Sequence, residues 1–121
     1  MALLLISHDL RVVAHLCQRV FVMYGGRVVE EGVTSEILAH PRHPYTRGLL
    51  GSRLSVHDRR HGLRPIKGSV PEATDWPSGC RFNPRCSEVV SRCREEEPEL
   101  LQLNSGQGVA RCWFPGEGDS C

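Results

Sequence analysis

Apolar positions change their period several times along the 121 residues. Ala2 to Ile6 is a continuous apolar run closed by Ser7 and His8, the pattern of a strand buried on both faces. From Asp9 the apolar residues Leu10, Val13, Ala14 and Cys17 recur at helical spacing, which predicts an amphipathic helix from Asp9 to about Gln18. Val20 to Tyr24 and Arg27 to Glu31 are β-rich runs separated by Gly25-Gly26, a pair that tolerates the positive φ angles of a two-residue hairpin turn. Gly32 is expected to close the second strand. Thr34 is a good N-cap for a short helix over Ser35 to Ala39, which must stop near His40 because Pro41 disfavours helical geometry in the residue before it. Pro44 suits the first turn of the next helix, with Leu49, Leu50 and Leu54 as its apolar residues. Residues 55–67 are polar, Arg-rich and His-rich and read as a linker. The last stretch, 76–121, is rich in Pro, Gly and Cys, with one helix predicted from Pro84 or Ser87 to about Glu95. It is too poor in large apolar residues to hold itself together by burial alone.

Composition narrows the class. The size suits one domain or a piece of one. Fourteen arginines and one lysine face fourteen acids, so the net charge is only +1. No polybasic field exists to hold nucleic acid or an anionic membrane surface. The longest apolar run, Met1 to Ile6, falls far short of the roughly 18 to 20 residues that span a bilayer. It has no basic n-region and is cut by Ser7, His8 and Asp9, so it fails as a secretory signal. A cytoplasmic setting follows as the expectation, and it favours metal ligation over disulfides for the six cysteines.

Two features carry chemistry. His8 sits between a predicted buried strand and a predicted helix start, where unpaired backbone N–H groups attract anions and an imidazole could donate to a phosphate. From spacing alone the plainer reading is a turn residue followed by a capping Asp9. The second feature is Cys80-x5-Cys86-x6-Cys93-x18-Cys112. Four thiolates can complete a tetrahedral zinc shell or anchor a 4Fe-4S cubane, and either would staple a segment that lacks an apolar core. The spacing leaves disulfides and unligated thiols open as well. Cys17 falls on the apolar face of a helix and reads as a small core residue. Cys121, at the terminus, reads as a free thiol. His40 and His43 are explained by ring packing and a hydrogen bond at a helix start, and His57 and His61 by a solvated linker.

The segment Leu3-Leu-Leu-Ile-Ser-His-Asp-Leu-Arg-Val-Val-Ala, followed by Val22-Met-Tyr-Gly-Gly-Arg-Val-Val-Glu-Glu-Gly, resembles the end of an ABC transporter nucleotide-binding domain. His40-Pro-Arg-His-Pro-Tyr-Thr-Arg-Gly-Leu-Leu resembles the His-Pro-Tyr element of ATP-binding subunits of dipeptide, oligopeptide and nickel importers. Ile66 to Pro71 and Gly79-Cys-Arg-Phe-Asn-Pro-Arg-Cys continue the likeness, which runs from about Ala2 to Cys112. It implies an α/β fold: the C-terminal fragment of an ABC-type P-loop domain over residues 1–39, then an extension over residues 40–121 ending in an irregular cysteine-rich segment. It also implies that His8 is the switch histidine, touching the γ-phosphate of ATP and aligning the attacking water, with Mg in the complete subunit. Partners would be a second ATP-binding subunit, membrane permeases and, indirectly, a peptide-binding protein, at the cytoplasmic face of the membrane. Nucleic acid is not among them. In some such importers the cysteine-rich segment is reported to hold a 4Fe-4S cluster, and Cys80, Cys86, Cys93 and Cys112 match its ligands in order. On this resemblance the cluster is favoured over zinc.

The chain departs from the family pattern in one large respect. A P-loop needs Gly-x-x-x-x-Gly-Lys-Ser/Thr, yet the only lysine, Lys67, follows Ile66. Walker B and the signature loop are also absent from these residues, so ATP hydrolysis by this chain alone is not expected. Strand 2–6 would then lack the parallel neighbours that cover it. Arg11 and His15 stand where the family often has glycine and an acid, and read as tolerated surface changes. A different class of function remains as the alternative: a small non-enzymatic metal-binding or interaction module derived from a truncated gene.

Overall fold

The computed structural model describes residues 1–54, 66–103 and 108–115. In chain order the elements are α1 (Leu10–Leu16), β1 (Arg19–Tyr24), β2 (Arg27–Val33), α2 (Thr34–Ala39), α3 (Pro44–Leu54), a 3-10 turn (Asn83–Arg85), α4 (Ser91–Glu95), β3 (Leu101–Gln102) and β4 (Val109–Ala110). The strands form one antiparallel sheet in the order β1-β2-β4-β3. The fold is therefore a small α/β unit.

The hairpin is the centre of this unit. Gly25 and Gly26 both take positive φ, 57° and 73°, as a tight two-residue connection requires. β1 shows the expected alternation, with Val22 and Tyr24 buried and Phe21 and Met23 exposed. β2 does not alternate. The register shifts between Val22 and Met23, so that Val22 pairs with Glu30 while Met23 pairs with Val28. The extra residue of this bulge lets Val29 and Glu30 both turn inward. Gly32 does not close the strand, which continues through Val33.

One apolar cluster of Val22, Tyr24, Val29, Ile37 and Phe82 forms the core, with Val20, Tyr45, Leu49, Ile66, Cys80 and Cys86 packed against it. The rings of Tyr24, Tyr45 and Phe82 meet at centroid distances of 4.8 to 5.4 Å, within the range in which tilted aromatic pairs attract. The core thus joins the hairpin to residues more than fifty positions later.

Arginines complete the attachment. Arg81 lies 4.9 Å from the Trp76 ring and donates to the Gly25 carbonyl at the tip of the hairpin. Arg85 donates to the Lys67 carbonyl at 3.0 Å and lies over the Tyr24 ring. Arg111 donates to the carbonyls of Val28 and Pro98. A guanidinium can stack and fork at once, which an ammonium cannot.

Three expectations need correction. Ala2 to Ile6 forms no strand: among the described residues it pairs with nothing in the sheet, and Leu4 and Ile6 are 88% and 91% exposed. Without a cover on either face, an apolar run gains nothing from an extended ladder. The sheet that does form is antiparallel. The helix expected up to Glu95 is divided into the 3-10 turn and α4, with Cys86 to Val90 between them. Thr34 does not cap α2; it is the first helical residue, and Val33 is the cap without a side-chain bond. The predicted helix at Asp9 holds, with Asp9 itself as N-cap: its carboxylate accepts from the Arg11 N–H at 2.9 Å. Most of the 55–67 linker, and Cys121, lie outside the described residues.

Candidate functional site

His8 occupies the turn between Ser7 and the Asp9 cap, where the Ser7 hydroxyl accepts the Asp9 N–H at 2.9 Å. The side chain is exposed. Arg11 and His15 are exposed as well, as expected of surface changes.

The His-Pro-Tyr element is anchored on the bulge. Glu30, 0% exposed, accepts the backbone N–H of Arg42 at 2.8 Å on Oε1 and that of His43 at 2.9 Å on Oε2. Burial raises its pKa above the usual 4.5, and these two N–H groups oppose the rise. His43 is 1% exposed. Its Nδ1 accepts the Tyr45 N–H at 3.0 Å at the start of α3, and the ring also bonds the Arg111 backbone. Burial lowers its pKa to about 4, with the nearby Arg47 charge acting in the same direction. The ring is neutral at pH 7, and both nitrogens serve the fold rather than a ligand. Helix-start bonding and ring packing against Phe82, at 5.8 Å, account for it.

The four candidate cysteines lie within electrostatic reach of one another. Cys80 feels the charge of Cys93; Cys86 feels Cys80 and Cys93; Cys112 feels all three. Burial pushes the thiols of Cys80 and Cys86 up and that of Cys112 to about 11. Against that rise, the Cys86 sulfur accepts the Glu88 N–H at 3.4 Å. Donors of this kind favour a thiolate. Cys93 is buried in α4.

The loop that carries Cys80 is set by neighbours sequence reading did not single out. Asn83 is buried and its Nδ2 donates to the carbonyls of Ser78 and Cys80, both at 2.8 Å. Gly79 has φ 75°, and a Cβ there would stand 2.3 Å from the Cys93 carbonyl. Neither residue announces itself, since an Asn before Pro84 reads as an ordinary turn. Glu30 was missed because an acid beside Glu31 in a strand reads as solvated.

As placed, no group of three or more His, Cys, Asp or Glu among the described residues could hold a metal ion. A single zinc would need all four sulfurs about 2.3 Å from one point. Cys17 lies half-buried after α1. No helix among the described residues is long and apolar enough to cross a membrane.

Known proteins resemble this chain over most of its length. Residues 29–93, more than half of the chain, match the family model described as the oligopeptide/dipeptide transporter C-terminal region. The chain is 45% identical over 107 residues to the dipeptide transport ATP-binding protein DppF of Haemophilus influenzae, covering 87% of this chain and 32% of that protein. It is 43% identical over 115 residues to DppD of the same organism, covering 95% and 34%. To the DppD protein of Caldanaerobacter subterraneus it is 40% identical over 116 residues, covering 96% and 35%. The chain spans about a third of the length of the curated relatives it matches.

Proposed function

The chain belongs to the family of oligopeptide/dipeptide transporter C-terminal regions, and on that footing we propose that it is the C-terminal portion of the ATP-binding subunit of a peptide ABC importer. The observation that carries this reading is the union of the family match with the Glu30 anchor, which binds the His-Pro-Tyr element onto the hairpin that follows His8. In the complete subunit His8 contacts the γ-phosphate of ATP and aligns the attacking water. Its exposure suits a residue whose partner is a nucleotide held by other parts of the protein. ATP and Mg are then the subunit's ligands, a second ATP-binding subunit and membrane permeases its partners, and the cytoplasmic face of the membrane its place. Peptides are the preferred cargo, nickel a lesser one.

Cys80, Cys86, Cys93 and Cys112 are the residues that would hold a 4Fe-4S cluster, with zinc as the alternative. Their electrostatic reach of one another and the N–H donor at Cys86 support this. Such a group would staple residues 80–112 together.

The test joins this chain to the preceding two thirds of a dipeptide-transport relative and measures ATP hydrolysis by the hybrid. Turnover is expected in the hybrid, a loss of at least about tenfold with His8→Ala, and none from the 121 residues alone. Turnover by the 121 residues alone, or an unaffected His8→Ala hybrid, contradicts the proposal. Iron, sulfide and zinc analysis after anaerobic purification tests the cysteine site; zinc without iron ends the cluster reading, and neither metal ends both.

A further inference from the structure

The four cysteines are not equivalent in how their backbones meet. The segment from Ser78 to Cys80 runs directly against Cys93 and Arg94: the Cys80 N–H donates to the Cys93 carbonyl at 2.8 Å, and the Ser78 hydroxyl donates to the Arg94 carbonyl at 2.8 Å. Gly79 between them leaves no room for a side chain above the Cys93 carbonyl. A backbone N–H···O bond between two residues sets their Cα atoms roughly 5 to 6 Å apart, within the window of about 4.4 to 6.8 Å that a disulfide spans. No backbone bond of this kind joins Cys86 or Cys112 to another cysteine among the described residues. Cys86 ends the 3-10 turn, where its N–H donates to Asn83, and Cys112 follows β4.

We propose that Cys80 and Cys93 form a peroxide-sensitive thiol pair, the one that closes into a disulfide when the cysteine site carries no metal group. Cys80 is half-buried and Cys93 buried, so Cys80 meets the oxidant first. Its thiol sulfur gives an electron pair to one peroxide oxygen, the O–O bond breaks, and the departing hydroxide takes the Cys80 thiol proton, leaving a sulfenic acid and one water. The Cys93 sulfur then attacks that sulfur, the S–O bond breaks, and the departing hydroxide takes the Cys93 proton as a second water. Two thiols are oxidised and one hydrogen peroxide is reduced. The pair rests on backbone geometry alone, and it stands whether a filled site holds iron, zinc or nothing.

The 121-residue chain, purified without added iron or zinc, is treated with hydrogen peroxide, digested without reduction and mapped by mass spectrometry. The expected product is one crosslink joining the Cys80 and Cys93 peptides, about 2 Da lighter than their sum. It persists in Cys86→Ser and in Cys112→Ser, and in Cys93→Ser Cys80 is found instead as a sulfenic acid trapped by dimedone. A dominant crosslink through Cys86 or Cys112, an even mixture of pairs, or no crosslink in the unaltered chain overturns the proposal. Metal content measured before oxidation separates this result from that of the cluster reading.

Discussion

The N-terminal run and the cysteine-rich segment exchange the roles that hydropathy alone assigns them. Met1 to Ile6 is the most apolar stretch of the chain, and Leu3, Leu4 and Ile6 are all exposed. The segment 76–121, poor in large apolar residues, supplies Phe82 to the centre of the core and Ala110 to the buried side of the sheet. What decides burial is whether an opposite face is present, not how apolar a segment is. Phe82 has Tyr24, Tyr45 and His43 around it; among the described residues, 2–6 have no strand beside them in the sheet.

The sharpest way to break this contrast is to truncate the anchor. Phe82→Ala should cost roughly 3 to 5 kcal/mol, enough to unfold the chain at moderate urea, as followed by the loss of Tyr and Trp fluorescence change on denaturation.

Acid should act on the same core through His43. Below pH 6.5 the unfolded chain takes up a proton on this ring that the folded chain refuses until about pH 4. Stability therefore falls on acidification across that window, by roughly 3 kcal/mol at about 1.4 kcal/mol per unit. Glu30 works in the other direction. Its raised pKa means the folded state keeps a proton the unfolded state has lost, so its contribution is greatest below 4.5 and declines as pH rises through the folded value. Urea midpoints between pH 7 and pH 4.5 should drop in the unaltered chain, drop more steeply in Glu30→Gln, and flatten in His43→Asn, whose amide oxygen can still accept the Tyr45 N–H.

Glu30→Gln itself should cost about 1 to 3 kcal/mol at neutral pH, since an amide presents only one acceptor to two buried N–H groups. Hydrogen exchange should accelerate at Arg42 and His43 and leave α1 unchanged. Arg81→Lys should cost about 0.5 to 1 kcal/mol by weakening the stack on Trp76 and the bond to the Gly25 carbonyl. At the other end of the comparison, Leu4→Ser should change stability by less than about 0.5 kcal/mol, because nothing is uncovered by it.

Much of this was legible in the chain. The Gly25-Gly26 turn between two β-rich runs, the Asp9 cap and the helix opened by Pro44 are local matters, and local chemistry decides them. The order of the four cysteines was legible too, but among the described residues they do not close into a group that could hold a metal ion. What was hidden depends on partners distant in sequence. Glu30 is buried because a bulge at Val22/Met23 turns two successive residues inward and two amides twelve and thirteen positions on receive its oxygens. β3 and β4 are two residues each, too short for any period to show. The run at 2–6 carries the signature of a buried strand without the neighbours that would make it one.

Hydrogen exchange at the amides of Leu3 to Ile6 tests the central claim most directly, measured in the chain alone and in the hybrid with the preceding two thirds of a relative. The account predicts unprotected exchange in the chain alone, beside protected Arg42 and His43 amides, and slowing of at least about a hundredfold once the rest of the subunit is present. Strong protection of residues 3–6 in the chain alone, or none in the hybrid, would contradict it.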